Sequence, residues 1–524
     1  MSAGHVSRAG RREWVGLGVI ALPCLLYSMD LTVLYLAVPS LTADLDPSST
    51  ELLWITDIYG FFLAGFLITM GTLGDRIGRR RLLLIGAAAF GVTSVLAALS
   101  TSVEMLIVSR ALLGVAAATL APSTLSLIRN MFLDPEQRTF AIGVWATSFS
   151  VGAAVGPLLG GLLLEFFWWG SVFLLAVPVM LLLLVVGPRL LPEYRDPDAG
   201  RIDLVSAGLS IVAVLSVIYG LKEIAAAGID GRPVLSMLVG LAVGLVFVRR
   251  QRRLRDPLID LRLFRSRTFS ASLAANSLSL AIAFGIFLLI AQYLQLVLGY
   301  SPLEAGLWTV PSSGGFIAGS MLAPMLVRTF RPAYVVAGGL ALTAAGLVLL
   351  AQVEPESSVA LVVVGSVVVA LGVAPPVTLG TDLVVSCVRP ERAGVASGIS
   401  ETGAELGGAL GIAVLGSISV AVYRNELADG VPGGIPPQAS EASKDTLGEA
   451  VDAAQTLPDT LGANLLETAQ EAFTQGLQVA ALTSAAVALG AAALVGVLVR
   501  RMGLSSERRG GQPAAEEAAE IAQP

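Results

Sequence analysis

The chain has 524 residues, 55% hydrophobic and only 14% charged, against about 25% Asp, Glu, Lys and Arg in soluble domains. That balance excludes a soluble enzyme, a nucleic-acid binder and a disordered scaffold, and a net charge of −6 supplies no positive field for nucleic acid. Cys24 and Cys387 sit inside apolar runs and the single histidine, His5, lies near the N-terminus, so neither a disulfide framework nor a Cys- or His-based metal or catalytic centre fits.

A bilayer core about 30 Å thick takes about 20 apolar residues in a helix. Windows of that length, free or nearly free of charge, fall at 14–39, 52–73, 82–101, 105–129, 139–164, 171–191, 204–222, 233–248, 269–298, 303–327, 333–352, 358–387, 393–423 and 475–499. Lipid offers the backbone no hydrogen-bond partner, so each must be helical. The expected fold is an all-α integral membrane protein with fourteen transmembrane helices. The first window is too long for a signal-peptide core and lacks a small-residue cleavage site, so it reads as a retained span.

The first span carries Asp30 two-thirds of the way along, and the second carries Asp57 near its outer part. Between spans 2 and 3 the chain reads Gly71-Thr72-Leu73-Gly74-Asp75-Arg76-Ile77-Gly78-Arg79-Arg80-Arg81. The glycines permit a tight turn, Asp75 can cap or pair at a neighbouring helix end, and the arginines stay at the membrane face. Span 4 holds Arg110, and span 5 spaces Gly152, Gly156-Pro157 and Gly160-Gly161 for close helix contact with a kink. Asp382 comes late in span 12, where capping and pairing with a loop arginine are both open. Span 13 places Glu401 and Glu405 four residues apart, on one helix face.

Of the 33 basic residues, 28 fall on the side of the N-terminus when the connections alternate. Lys222, Arg232, Arg424 and Lys444 fall on the other side, and Arg110 alone lies inside a span. The asymmetry predicts both termini in the cytoplasm of a cell-membrane protein. Residues 1–202 and 268–500 then form two six-helix bundles, with an inserted helix pair at 203–250 and a basic cytoplasmic linker at 251–267. The linker reads either as topology signal with an amphipathic edge at 258–264 or as an anionic-lipid site. The acidic external segment 424–474 is expected to form a helical hairpin (441–456 and 461–473, with Pro458 between) or a solvated loop. Residues 501–524 read as a disordered tail.

Ionisable side chains inside a membrane are costly and usually face a cavity. A carboxylate there can hold a proton or a cation, but rarely both at once. Asp30, Asp57, Glu401 and Glu405 are therefore the candidate coupling sites. Arg110, at a depth similar to that of Asp30, is either its static partner or a proton relay. Tyr35, Tyr59, Trp145, Phe284 and Phe287 could stack on a bound cation, although most aromatic residues in spans serve packing.

The pattern GxxxDRxGRR formed by Gly71, Asp75, Arg76, Gly78, Arg79 and Arg80 resembles motif A of the major facilitator superfamily, where it acts as a cytoplasmic latch. The glycines of span 5 and Pro157 are similar to motif C, which marks the antiporter branch. Arg110 followed by Gly114 resembles motif B, associated with proton coupling. Asp30 through Pro39 resembles the first-span motif of the fourteen-span drug:proton antiporters, departing at Tyr35, where that motif has Asn. The segment Trp54–Tyr59, the span 13 acids and the long last external loop look like the quaternary-ammonium and dye exporters of that family. The resemblance implies proton-driven export of lipophilic cations such as quaternary ammonium biocides, ethidium-type dyes and fluoroquinolones. It needs no cofactor beyond the proton gradient and no oligomer. Asp57 would recognise the cation, and Glu401 and Glu405 would take up protons or bind a dication. The alternative is a dedicated exporter of an endogenous antibiotic or lipid. No P-loop, HExxH or soluble domain supports a membrane enzyme or sensor.

Overall fold

The computed structural model describes residues 8–47, 49–195, 203–227, 231–254, 257–389, 392–430 and 446–510, with a few positions between 435 and 444. In chain order the long helices are α1 (Arg11–Leu45), α2 (Ser49–Ile77), α3 (Arg79–Ala98), α4 (Val103–Met131), α5 (Pro135–Phe166), α6 (Ser171–Leu174 continuing as Ala176–Leu190), α7 (Leu204–Ala227) and α8 (Gly231–Gln251). They continue with α9 (Arg267–Gln292), α10 (Pro302–Leu326), α11 (Pro332–Leu350), α12 (Val359–Ser386), α13 (Ala393–Gly430), α14 (Leu447–Thr456) and α15 (Asp459–Gly510). No strand occurs among the described residues.

The helix ends carry their own signals. Ser102 accepts the Met105 N–H, Asp134 accepts that of Gln137 just before Pro135, and Ser301 and Glu304 close a capping box around Pro302. The break between α2 and α3 is made by Gly78, whose φ of 112° lies in the region that suits glycine. Among the described residues thirteen helices are long and apolar enough to cross a membrane. The remaining expected span, α10, is diluted by Pro311, Pro324 and several Gly and Ser residues, yet it lies in the sequence position that the alternation of spans requires. Exposed apolar side chains such as Leu181, Val185, Leu235, Leu238 and Leu241 clothe α6 and α8, as lipid contact demands.

The first six helices share one apolar core, including Ile20, Tyr59, Leu83, Leu113, Trp145 and Met180. A second core joins Ile286, Tyr293, Leu347, Val369, Leu415 and Leu477. Helix α7 packs on α2 through Phe61, Ala64 and Ile218, and on α13 through Leu221, Ala409 and Ala413. It therefore stands at the outer edge of the seam between the two cores.

The structure refines three expectations. The basic linker does not lie wholly at the membrane surface. Leu258 and Ile259 are buried with Ile68, Phe247, Val384 and Ile399, beneath the place where α2 meets α13. Gln251 fixes them there, accepting both backbone N–H groups while donating to Ser206 Oγ. The external segment forms the two expected helical arms, which pack on each other where Gly462 meets the Ala454 backbone and where Leu447 and Ala450 join Ala469 and Ala472 in the second core, but the hairpin is not separate from the last span. Its second predicted arm, 461–473, is the beginning of α15, which runs unbroken into the last span. Pro458 marks the gap between α14 and α15 because its missing N–H is harmless at a helix start. The helix also continues to Gly510 through the start of the expected tail, while residues 511–524 lie outside the described residues.

Candidate functional site

The sequence-selected side chains fall at three depths, and those of the first two lie along the seam. At the arginine-rich face, where α1 begins, Asp75 accepts the backbone N–H groups of Gly394 and Val395 at 3.2 and 3.1 Å. These are exposed donors of the first turn of α13, so a carboxylate from the other core caps that helix. Asp75 also pairs with Arg79, and both side chains are buried. Gly71 sits against the Gly394 backbone, which a side chain would block. Arg80 donates to the carbonyls of Pro188 and Leu191, holding the α2–α3 turn to the end of α6. Arg76 occupies the last turn of α2.

Asp382 resolves as a pairing residue. It accepts from Arg138 Nε at 2.8 Å, Thr139 Oγ1 at 2.6 Å and Ser386 Oγ at 3.2 Å. The first two lie on α5, so this is a second polar tie between the cores. Arg328 and Glu136, 3.3 Å apart, add an exposed pair at the same face.

Deeper, Glu401 and Glu405 are both half-buried on α13. The Tyr27 hydroxyl donates to Glu405 Oε1 at 2.7 Å, across the seam. Among the described residues Glu401 has no hydrogen bond or ion pair. Tyr27 lies edge-on to Phe149 at 5.4 Å, and Phe149 edge-on to Trp145 at 4.8 Å. Trp145 Nε1 donates to Thr124 Oγ1, which also contacts Cys24 Sγ. An acidic pair on one core thus meets Tyr27 of the other, which is backed by Phe149 and Trp145.

Towards the opposite face, Arg110 Nη1 lies 2.5 Å from Asp30 Oδ2. Its Nε donates to the Ile55 carbonyl, and its guanidinium lies 4.7 Å from the Tyr59 ring centroid. Of the two readings for Arg110, the partner of Asp30 is the geometry observed. Asp57 pairs with Lys222 Nζ at 2.5 Å. This corrects the expectation that Arg110 is the only basic residue within a span, because α7 extends past the apolar window that ended at Lys222. The signal was a lysine at the edge of one span and an acid without a partner in another.

The remaining candidates do not converge. Phe284 is 53% exposed beside Gly408 and Phe287 packs on the second core. Tyr59 serves Arg110. The side chains of Tyr35 and Pro157 lie outside the described residues. Gly152 and Gly160 press α5 onto Leu25 and Val33 of α1, Gly161 faces open space, and Gly156 is buried. These glycines therefore tighten one core rather than the seam. Tyr27 is not among the site residues selected from the sequence, which carries no signal of its hydrogen bond to Glu405. Among the described residues no group of three or more His, Cys, Asp or Glu could hold a metal ion. A cavity of about 400 Å³ between α10, α11 and α12 is lined by apolar residues such as Leu322, Tyr334 and Pro375, and by no carboxylate.

The family model of the Major Facilitator Superfamily matches residues 20–412. The chain is 44% identical to "Multidrug efflux pump LfrA" of Mycolicibacterium smegmatis, covering 94% of this chain and 98% of that one. It is 35% identical to "Methyl viologen resistance protein SmvA" of Salmonella typhimurium, covering 88% and 93%. Among solved structures it resembles an inward-facing bacterial homologue of the human lysosomal transporter Spinster, with a TM-score of 0.58 at 18% identity over 93% of this chain and 97% of that one.

Proposed function

The chain belongs to the major facilitator superfamily, as a multi-pass membrane transporter of the drug-efflux kind rather than an enzyme, and from that premise we propose that it exports lipophilic cations in exchange for protons. The arginine-rich face is the cytoplasmic one and the membrane is the plasma membrane. The observation that carries the reading is the pair Glu401 and Glu405, one without a hydrogen-bond or ion-pair partner among the described residues and one tied to Tyr27, standing where the two cores meet.

Ionised, the two glutamates attract a cation entering from the cytoplasm, and the wall of Tyr27, Phe149 and Trp145 gives it aromatic surface. A proton arriving from outside replaces the cation on the carboxylate. It also weakens the Tyr27 hydrogen bond, because an ionised acceptor binds a hydroxyl more strongly than a neutral one. Proton uptake therefore loosens α1 from α13 as it releases the substrate. Loss of the proton to the cytoplasm restores both. Asp30 and Asp57 arrive already paired with Arg110 and Lys222, so they hold charge in place, and Asp57 contributes to cation recognition only when its lysine moves.

Ethidium accumulation in inside-out vesicles with an acidified lumen tests this. Glu405→Gln is expected to abolish the proton-driven component, and a protonophore to collapse it in the unmodified protein. If Asp30→Asn, Asp57→Asn and Glu405→Gln each leave proton-driven uptake intact, the site is elsewhere.

A further inference from the structure

Lys222 belongs to the helix pair lying outside both cores. Its ammonium stands 2.5 Å from Asp57 Oδ1 and 4.9 Å from the centroid of the Phe61 ring. A carboxylate and an aromatic face around one positive charge are the parts of an organic-cation site. The wall extends further, because Trp54 and Tyr219 flank Phe61 with ring centroids 6.2 and 6.3 Å away. The place also adjoins the glutamates. Leu406, next to Glu405, packs into the cluster of Phe61, Ala64 and Ile218, and Leu221, next to Lys222, packs on Ala409 one turn beyond Glu405.

We propose that Lys222 is a tethered occupant of a cation subsite formed by Asp57 and Phe61, and that an exported lipophilic cation displaces it there. The inference rests on the cation-export reading and deepens it, because it names a residue that sets which cations are accepted. The exchange conserves charge: one ammonium leaves Asp57 and one cation arrives. Lys222 and Asp57 side chains are 34% and 31% exposed, so the lysine can swing its long stem and keep its charge hydrated. A lipophilic cation gains what lysine leaves unused, broad contact with Phe61, Trp54 and Tyr219. A small hydrophilic ammonium gains nothing over the resident one and is excluded.

A site that is free for only part of the time binds more weakly by that fraction. A partly exposed ion pair holds its partners closed by a modest factor. Ethidium fluorescence on the purified full-length protein in lipid nanodiscs reads the effect. Lys222→Gln is expected to tighten apparent ethidium binding roughly 2- to 6-fold, and Lys222→Arg to leave it near that of the unmodified protein. Adding Asp57→Asn to Lys222→Gln is expected to remove the gain. Lys222→Met, with a neutral chain of similar length, serves if the Gln variant does not fold. Unchanged or weaker ethidium binding in the neutral variant overturns the proposal, as does a gain that persists without the Asp57 carboxylate. The two readings fail differently. Ethidium that binds neither protein overturns cation export itself. Ethidium whose binding depends on Glu405 yet ignores Lys222 overturns only the role given to the lysine.

Discussion

Gly152 shows how much a missing side chain can hold. Its α-carbon lies against the backbone of Leu25, and a methyl group would collide with that carbonyl rather than with a side chain able to turn away. Gly161, on the same helix, faces open space. Overpacking that must move backbone costs about 1–3 kcal/mol, whereas Gly→Ala in an unobstructed helix gains up to about 1 kcal/mol. Gly152→Ala is therefore expected to lower the melting temperature of the detergent-purified protein, and Gly161→Ala to leave it unchanged or raise it. Equal behaviour of the two variants would remove the assigned contact between α1 and α5. The glycine spacing was visible in the sequence, but its partner was not, because spacing names a face and not what lies against it. The same limit hid the pairing of Lys222 with Asp57, which are 165 positions apart, and the bond from Tyr27 to Glu405. The charged residues stood out because lipid makes them expensive. Their depth was legible, and their neighbours were not.

At the scale of elements, the spans were readable wherever apolar length was the whole signal. Where prolines, glycines and serines dilute it, as in α10, the window 303–327 still carries a single charge, Glu304, and the alternation of charged connections supports the count. In the segment before the last span Pro458 marks the turn between two helices that pack on each other, and what the sequence hid is that the second of them runs unbroken into the last span. The inserted pair offers a test. Asp203, just before α7, accepts from the Ser206 hydroxyl and the Val205 N–H and pairs with Arg250 Nε at 2.8 Å near the end of α8. The hydrogen bond from Arg250 holds its carboxyl down to about 2, below the usual value of about 3.9. A depressed acid stabilises the fold above its unfolded value and loses that contribution as pH falls through the folded one. The tie should thus remain intact from pH 7 to pH 4. Hydrogen exchange of 203–207 and 249–254, corrected for intrinsic rates, is expected to be unchanged over that interval and to quicken in Asp203→Asn. Loosening of the unmodified protein already at pH 4 would contradict the assignment.

For the whole molecule, α13 joins the functions along one rod. Its first turn is capped by Asp75, its middle carries Glu401 and Glu405, and its outer part meets α7 through Ala409 and Ala413. A change of charge at the glutamates therefore bears on the same helix that the arginine-rich face holds shut. That face is closed by two polar ties, Asp75 to the start of α13 and Asp382 to Arg138 and Thr139. Hydrogen bonds to charged groups are worth about 1.5–3 kcal/mol each when kept from water, and 1.4 kcal/mol is a factor of ten in population. Removing both carboxylate charges should therefore move the two cores apart at this face in a large share of molecules. Leu133 and Phe330 are exposed in the connections α4–α5 and α10–α11, one on each core at this face. Spin labels at Leu133→Cys and Phe330→Cys, with Cys24 and Cys387 replaced, report their separation. A short, narrow distance distribution is expected for the otherwise unmodified protein. A second, longer population should appear in Asp75→Asn with Asp382→Asn, and Glu405→Gln, which mimics the protonated acid, should change the balance between them. If the double variant keeps the short distance alone, these carboxylates cap and pair without latching, and the proposed coupling between acid and gate does not run through α13.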